Sequence, residues 1–235
     1  MIKARRIVIL TGAGISADSG VSTFRDPDGV WAKYDYNDVA TAEGFARNPA
    51  LVHSFYNARR AHIQTVEPNA AHAALAALER RFGEALTLVT QNVDDLHERG
   101  GSSRVIHMHG ELMKVRCGAC GDVLMWNKDL SVETRCATCG KDRCMRPDVV
   151  WFGEIPMFMD EIAVAIAQAD LFVSIGTSGN VYPAAGFVGE ARSYGVPCIE
   201  LNLEPSENAW AFTDARYGRA SEIVPEWAAT LIGAG

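Results

Sequence analysis

The stretch that decides the fold covers residues 7–26 and reads IVILTGAGISADSGVSTFRD. Its apolar start predicts a buried strand, and the strand ends at closely spaced glycines. Gly12, Gly14 and Ala17 satisfy the pattern G-x-G-x-x-[G/A] of dinucleotide-binding turns. A turn of this kind leaves backbone N–H groups at the positive end of a helix, where they can bind a pyrophosphate. The stretch therefore predicts a nucleotide-binding turn after the first strand.

The sequence after this turn differs from that of an ordinary dehydrogenase. In those enzymes a second strand follows at once and ends in an acidic residue about 20 positions after the glycines, which binds the ribose. Here the next convincing strand is 85–90, after a long polar and helical stretch. The sequence thus predicts a bound nucleotide without the usual ribose-binding residue.

Apolar runs and helical patterns alternate along the rest of the chain. The runs lie at 6–10, 85–90, 104–107, 171–175 and 197–201, with a shorter one at 222–224, and the helical patterns lie at 70–82, 158–169 and 183–194. Such alternation predicts an α/β fold with a Rossmann-like parallel sheet and helices on both faces. Ligands of such sheets gather at the carboxyl ends of the strands.

Two segments interrupt the alternation. The segment 30–77 reads as a helical insertion, and 111–147 holds five of the six cysteines with little hydrophobic periodicity. We expect these insertions to form a smaller domain. The larger, Rossmann-like domain, which is expected to bind the nucleotide, then comprises 1–29, 78–110 and 148–235.

Composition narrows the function classes. A chain of 235 residues with 48% hydrophobic residues can bury a full core. Its net charge of −7 argues against nucleic acid as the main partner. No apolar stretch reaches 18 residues and the first strand begins almost at once, so we predict that the chain has neither a membrane span nor a signal peptide. We therefore expect a cytoplasmic protein. The oligomeric state is left open, with a monomer allowed.

The cysteines predict a zinc site. Cys117 and Cys120 form one C-x-x-C pair, and Cys136 and Cys139 form a second pair after fifteen intervening residues. Four thiolates leave no open coordination position, so the zinc is expected to be structural. Cys144 is an alternative to Cys139 with a less suitable spacing, and Cys198 reads as a core residue.

Polar residues follow several predicted strands. Gln91, Asn92 and Asp94 come after the strand 85–90, where they would contact a ribose or a carboxamide or would form a turn and a helix cap. His107 and His109 end the run 104–107 and are expected to point to the same face of the sheet. Either histidine is a candidate general base or a hydrogen-bonded structural residue, and the flexible Gly110 slightly favours His109.

Together these features resemble the sirtuins, the NAD-dependent protein lysine deacylases. The resemblance extends over essentially the whole chain, in order. It rests on GAGIS at 12–16 with Phe24-Arg25, TQNVD at 90–94, His109-Gly110, the four cysteines, RPDVVWFGE at 146–154, GTS at 176–178 and NLE at 202–204.

The resemblance implies that NAD is consumed and that the acyl group of a modified lysine passes to ADP-ribose. His109 is then the general base and Asn92 a second catalytic residue. The implied NAD contacts are Gly12, Ala13, Gly14, Ile15, Ser16, Asp18, Ser19, Thr23, Phe24, Arg25, Trp31, Gln91, Asn92, Val93, Asp94, Gly176, Thr177, Ser178, Asn202, Leu203, Glu204 and Ala220.

The resemblance also implies two edges, Val149 to Glu154 and Gly179 to Val181, between which a substrate peptide adds as a strand. The implied peptide contacts are Val150, Phe152, Gly153, Glu154 and Val181. The partners are then proteins or peptides that carry acyl-lysine.

Within that family, FYNARR at 55–60 resembles the acyl-pocket signature of the branch that removes succinyl and malonyl groups. Tyr56 and Arg59 are three positions apart on a predicted helix and share a face. They would present a hydroxyl and a guanidinium to a carboxylate. Without the family context, an exposed helix with basic residues is the simpler interpretation. We therefore expect activity on succinyl- and malonyl-lysine and also on acetyl-lysine.

Three other functions compete with this one. An NAD-dependent oxidoreductase needs the acidic ribose-binding residue that is missing. A non-catalytic zinc-ribbon regulator has no need of the glycine turn. A protein mono-ADP-ribosyltransferase uses the same cofactor and would transfer label from NAD to protein.

Overall fold

A six-stranded parallel sheet forms the centre of the computed structural model, which describes residues 5–22 and 33–233. The strand order is β3-β2-β1-β7-β8-β9, and every neighbouring pair is parallel. Its strands are β1 (Ile7–Thr11), β2 (Leu86–Thr90), β3 (Val105–His107), β7 (Leu171–Ile175), β8 (Cys198–Asn202) and β9 (Asp214–Tyr217). A second, three-stranded antiparallel sheet has the order β5-β4-β6, from β4 (Gly110–Cys117), β5 (Val123–Met125) and β6 (Met145–Val149).

Eight α-helices surround the sheets in the part of the chain that is described. They are α1 (Tyr36–Val39), α2 (Ala42–Arg47), α3 (Pro49–Ile63), α4 (Ala70–Phe82), α5 (Leu96–Arg99), α6 (Met159–Ala167), α7 (Phe187–Ser193) and α8 (Ala220–Ile232). Within residues 5–22 and 33–233, none of the helices is long and apolar enough to cross a membrane.

Both faces of the central strand β1 are buried, which explains its unbroken apolar sequence. Ile7 and Ile9 belong to the core beneath α4 and α8, whereas Val8 and Leu10 belong to the core beneath α6 and α7. The predicted fold class, a parallel sheet with helices on both faces, is confirmed.

Helix α4 lies at the predicted position, 70–82. Asn69 accepts a hydrogen bond from the Ala71 N–H, and the Asn69 N–H donates to His72 Nδ1, so the start of the helix is capped from both sides. The short run 222–224 lies in α8 and not in a strand. The sixth strand is β9, whose exposed, polar sequence carries little apolar signal.

The two predicted insertions pack against each other. The side-chain amide of Asn57 on α3 exchanges two hydrogen bonds with the Leu130 backbone, both of 2.9 Å. Arg60 donates from Nε to the Leu112 carbonyl at 3.1 Å. A common core that includes Phe55 and Trp151 fills the space between α3 and the three-stranded sheet. The division into a larger and a smaller domain stays a prediction.

Candidate active site

A cavity of about 930 Å³ opens at the carboxyl edge of the parallel sheet. One part of its wall consists of the turns that follow β1, β2, β7 and β8, and a second part consists of α3 and the segment after β6. The cavity thus lies where an open α/β sheet binds its ligands.

The glycine turn after β1 is in backbone contact with the turn after β7. The Gly14 N–H donates to the Gly176 carbonyl at 2.9 Å. A Cβ atom at Gly12 would lie 2.8 Å from that carbonyl oxygen, and one at Gly14 would lie 2.7 Å from the Gly176 Cα. Because both distances are too short for a side chain, only glycine permits this approach. The resulting backbone surface suits the close binding of a pyrophosphate.

Ser16 connects the polar groups beneath the cavity. Its hydroxyl donates to Asp94 Oδ2 at 3.1 Å and accepts from Asn92 Nδ2 at 3.1 Å. Burial raises the pKa of Asp94, and hydrogen bonds from the Leu96 N–H and Ser16 oppose that rise. Asn92 and Asp94 line the cavity, whereas Ser16 is completely buried below them. The network fixes both side chains in orientation.

His109 lies in the turn between β3 and β4 and lines the cavity. Its Nδ1 is 3.1 Å from the Gln91 carbonyl oxygen. A carbonyl can only accept, so Nδ1 carries the hydrogen and Nε2 keeps a free lone pair. Burial lowers the pKa of His109, which the hydrogen bond to Gln91 partly offsets, and the ring is therefore neutral near pH 7. These are the properties of a general base.

His107 has different partners. Its Nε2 lies 2.8 Å from Glu98 Oε1 and its Nδ1 lies 3.2 Å from the Asn92 carbonyl. Burial opposes protonation, but the bond to Glu98 and its charge outweigh it, and the pKa of His107 is raised. Because β3 ends at His107, the two histidines do not share a strand face as expected. Only His109 reaches the cavity, so the structure separates the two candidates.

Most of the predicted NAD contacts lie on the cavity wall. Three of them do not line it. Ile15 lies in the apolar core, and the Ser19 hydroxyl accepts a hydrogen bond from Asn69 Nδ2. Ser16 is buried beneath Asn92 and Asp94, as described above. Thr23, Phe24, Arg25 and Trp31 lie outside the described residues. The wall includes Gly12, Ala13, Gly14, Asp18, Gln91, Asn92, Val93, Asp94, Gly176, Thr177, Ser178, Asn202, Leu203, Glu204 and Ala220.

Tyr56 and Arg59 also line the cavity, three positions apart on α3. The Arg59 guanidinium carbon is 5.9 Å from the centre of the Tyr56 ring and 5.6 Å from that of Phe55. Burial raises the pKa of Tyr56, so its phenol stays protonated. The pair can therefore offer a hydroxyl donor and a cation to an anionic group in the cavity.

The predicted peptide contacts also line the cavity. Phe152 and Val181 are partly exposed at its rim, and Val150 and Gly153 lie beside them. The Glu154 carboxylate is bound by Arg146, with distances of 2.6 and 2.9 Å, and accepts from the Trp151 N–H at 2.8 Å. The side chain of Glu154 therefore stabilises its own segment.

Sequence reasoning missed several residues of the cavity wall. Trp151 lies within a quoted motif, and Arg219 directly precedes the predicted contact Ala220, so position in sequence was the available signal for these two. Leu112 and Ile63 carry no such signal, because only the packing of the insertions brings them to the cavity. The missed residues are Ala17, Gly20, Val21, Ser22, Ala40, Ile63, Leu112, Pro156, Tyr182, Leu201 and Arg219, whereas Val149 and Trp151 fall within the predicted edge Val149 to Glu154 but are not among the individual predicted contacts.

The four predicted zinc ligands lie together. The Sγ atoms of Cys117, Cys120, Cys136 and Cys139 are all within 4.8 Å of one another. The Cys117–Cys139 and Cys120–Cys136 Sγ distances are 3.8 and 3.7 Å. A tetrahedral zinc with bonds of about 2.3 Å requires sulfur atoms about 3.8 Å apart, so the cluster fits this ion. Cys144 Sγ lies 3.4 Å from Cys117 Sγ, beside the cluster, and Cys198 is buried in the core as expected.

Comparison with known proteins agrees with this geometry. The model of the Sir2 family matches residues 12–183. A protein of Caulobacter vibrioides named NAD-dependent protein deacylase is 60% identical over 97% of both chains, and one of Pasteurella multocida with the same name is 53% identical over 99% of this chain and 100% of its own. The solved structure of a Sir2 homologue–NAD complex matches with a TM-score of 0.90 at 36% identity, covering 99% of this chain and 91% of that one. A structure described as Sir2 bound to acetylated peptide matches with a TM-score of 0.82 at 28% identity, covering 99% and 94%.

Proposed function

The chain belongs to the Sir2 family, and on this basis we propose that it is an NAD-dependent protein lysine deacylase that removes succinyl, malonyl and acetyl groups. The products are nicotinamide, O-acyl-ADP-ribose and the free lysine. The observation that carries the proposal is His109, a neutral base whose free Nε2 lies in a cavity with a glycine turn. The names of the relatives support the reaction, and the acyl preference comes from the residues of this chain.

The fit to NAD rests on the backbone surface at Gly12 and Gly14, which has no room for a Cβ atom. The N–H groups of this turn would bind the pyrophosphate. Asn92 and Asp94, fixed by Ser16, would hold the ribose and nicotinamide end. When bound, NAD would supply an electrophilic ribose carbon for the acyl oxygen and nicotinamide as the leaving group.

His109 moves the proton in this proposal. Its Nδ1–H stays bonded to the Gln91 carbonyl, and its Nε2 accepts a proton from a hydroxyl in the cavity. Gly110 fixes the adjacent backbone, because its φ is +78° and a Cβ there would collide with the Asp148 carbonyl. The base is therefore held beside the point where β4 pairs with β6, with Gly110 opposite Val149.

A substrate peptide would lie between residues 150–154 and Val181 as an added strand. The N–H groups of Val150 and Phe152 already donate to the carbonyls of His109 and Ala40, both at 2.9 Å. The peptide would therefore bond to other backbone groups of these segments. Backbone pairing tolerates many sequences, which fits a class of acyl-lysine proteins as partners.

Tyr56 and Arg59 support the preference for acidic acyl groups. A succinyl or malonyl group ends in a carboxylate, which an arginine binds through charge-assisted hydrogen bonds. The pair lines the same cavity as the glycine turn, so an acyl group near a cofactor bound at that turn could reach it. Acetyl groups are smaller and need neither contact.

The proposal is tested by incubating the protein with NAD and peptides that carry acetyl-, malonyl- or succinyl-lysine. Nicotinamide release should require the acyl peptide. For each peptide, the amount of acyl group removed should equal the amount of nicotinamide released. A protein that releases nicotinamide with none of the three peptides would disprove the deacylase function. Acetyl removal without malonyl or succinyl removal would disprove the acyl preference alone.

A further inference from the structure

Trp151 is a buried tryptophan on the cavity wall that no step of the reaction uses. It is 3% exposed, and its indole Nε1–H donates to the Tyr56 hydroxyl oxygen at 3.0 Å. This bond joins the segment after β6 to helix α3. Trp151 therefore contacts the hydroxyl of Tyr56, which with Arg59 forms the proposed binding site for the acyl group.

The direction of this hydrogen bond follows from the chemistry of the two groups. An indole N–H can only donate, so the Tyr56 oxygen must accept. The phenol keeps one hydrogen to donate, and within residues 5–22 and 33–233 no atom accepts it. Since Tyr56 lines the cavity beside Arg59, the hydrogen is available to a group that enters the cavity.

The indole ring itself is held firmly. The Arg146 guanidinium carbon lies 3.4 Å from the ring centre, which is a close cation–π contact. Arg146 is in turn bound by both carboxylate oxygens of Glu154, and Glu154 Oε2 also accepts from the Trp151 backbone N–H. Glu154 and Arg146 thus fix both the backbone and the ring of Trp151.

We propose that Trp151 is a positioning residue for the selection of acidic acyl groups. Its N–H occupies the acceptor side of the Tyr56 oxygen and directs the Tyr56 hydrogen toward the carboxylate of the acyl group, next to the Arg59 guanidinium. The inference rests on the proposed removal of succinyl and malonyl groups. An acetyl group has no carboxylate and gains nothing from this orientation.

The substitution Trp151→Phe keeps an aromatic ring next to Arg146 and removes the indole N–H. The Tyr56 hydroxyl then rotates more freely and loses its bias toward donation. A neutral hydrogen bond contributes about 0.5–1.5 kcal/mol, which corresponds to about 2- to 13-fold in binding. We expect Trp151→Phe to lower the ratio of desuccinylation to deacetylation kcat/KM by about that factor, through a higher KM for the succinyl peptide.

The decisive experiment is a double-mutant cycle with Tyr56→Phe. Once the hydroxyl is absent, Trp151→Phe should leave the ratio as it is in Tyr56→Phe alone. The ratio is measured on one enzyme preparation, so a smaller folded fraction cancels and poor folding does not obscure the result. Trp227→Phe is the matched control. Trp227 is similarly buried, but it lies on α8 in the apolar core and does not line the cavity.

Each outcome is informative. An unchanged ratio in Trp151→Phe, or an equal drop with and without the Tyr56 hydroxyl, would overturn the role of Trp151 while leaving the proposed function intact. A drop of the same size in Trp227→Phe would show a general packing effect and would also overturn it. A wild-type protein that removes acetyl but neither succinyl nor malonyl would remove the acyl preference on which the inference rests.

Discussion

Closely packed glycine backbone lies in the part of the cavity wall at the ends of β1 and β7, whereas large side chains lie in the part from α3 and the segment after β6. On the first wall Gly12, Gly14 and Gly176 approach so closely that no Cβ fits. On the second, Tyr56 and Trp151 form a side-chain hydrogen bond next to Arg59. The difference predicts that changes to the first wall affect all substrates equally, and that changes to the second discriminate between acyl groups.

Removal of the zinc should have the largest effect, because the three-stranded sheet adjoins both the proposed base and the segment that carries Trp151. Strand β4 begins next to His109, and β6 leads directly into the segment of Trp151. Structural zinc contributes folding free energy on the order of 10 kcal/mol. We expect a chelator to lower the melting temperature and abolish deacetylation and desuccinylation together.

Re-addition of zinc should restore both activities in the same proportion. Loss of one activity alone would contradict a purely structural role for the ion. The measurement is a thermal melt and both peptide assays on the same chelated sample.

His109→Ala should reduce the turnover of every acyl peptide. Loss of a general base typically lowers kcat by about 10²- to 10⁴-fold. Thermal stability and the stabilisation by NAD should change little, because the side chain of His109 makes a single hydrogen bond within the described residues, to the Gln91 carbonyl. Near-normal turnover of any of the acyl peptides would reject His109 as the base.

Gly14→Ala tests the main-chain wall. The new methyl group would meet the Gly176 backbone at 2.7 Å, so the turns after β1 and β7 must move apart. Overpacking of this kind destabilises by about 1–3 kcal/mol. The KM for NAD should rise, with the ratio of the two deacylations unchanged.

The matched control is Gly189→Ala in α7, where nothing lies within 4 Å of the added Cβ. It should behave like the wild type in both assays. If Gly14→Ala altered the acyl ratio, the two walls would not act independently.

Arg59→Met tests the side-chain wall. A hydrogen bond to a charged group contributes about 1.5–3 kcal/mol, which corresponds to a fall of about 13- to 160-fold in the ratio of desuccinylation to deacetylation. Arg81→Met is the control, since Arg81 also lies over an aromatic ring, that of Phe82, but outside the cavity. Equal losses of both activities in Arg59→Met would assign Arg59 a structural role only.

The pH profile should show the smallest effect. Burial lowers the pKa of His109 below 6.5, so the base stays neutral and active as the pH falls to 6.5 and is protonated only below that. Relative to an unshifted histidine, which is half protonated at pH 6.5, the gain there is at most about twofold. The measurement is kcat/KM for an uncharged acetyl peptide against pH, and a midpoint of the acid limb above 6.5 would contradict the burial effect.

Local patterns predicted the elements whose signal lies within one segment. Helix 70–82 has both periodicity and a cap at Asn69, and β1 has an apolar run that ends at a glycine turn. The interpretation of the run 222–224 as a strand was wrong, because a few apolar residues fit a helix as well as a strand. Strand β9 carries polar residues at an edge of the sheet, where burial imposes no pattern.

The residues of the candidate site were likewise predictable where the signal lies within one segment of the sequence. Most predicted residues next to a glycine turn or a strand end line the cavity, because the parallel sheet brings strand ends together, and their contacts with NAD stay a prediction. Ser16 was expected there too, yet it lies one layer below and orients Asn92 and Asp94. The bond between Trp151 and Tyr56 spans 95 positions of sequence, and only the packing of α3 against the segment after β6 creates it.

The contact between the glycine turns has a consequence for engineering the cofactor specificity of this protein. Because it joins backbone to backbone, a substitution at Gly14 cannot be repaired by a second one at Gly176, which has no side chain to shorten. Selection for modified dinucleotides would therefore retain these glycines and accumulate changes at exposed positions of the same cavity. Leu203, with 69% of its surface exposed, is such a position.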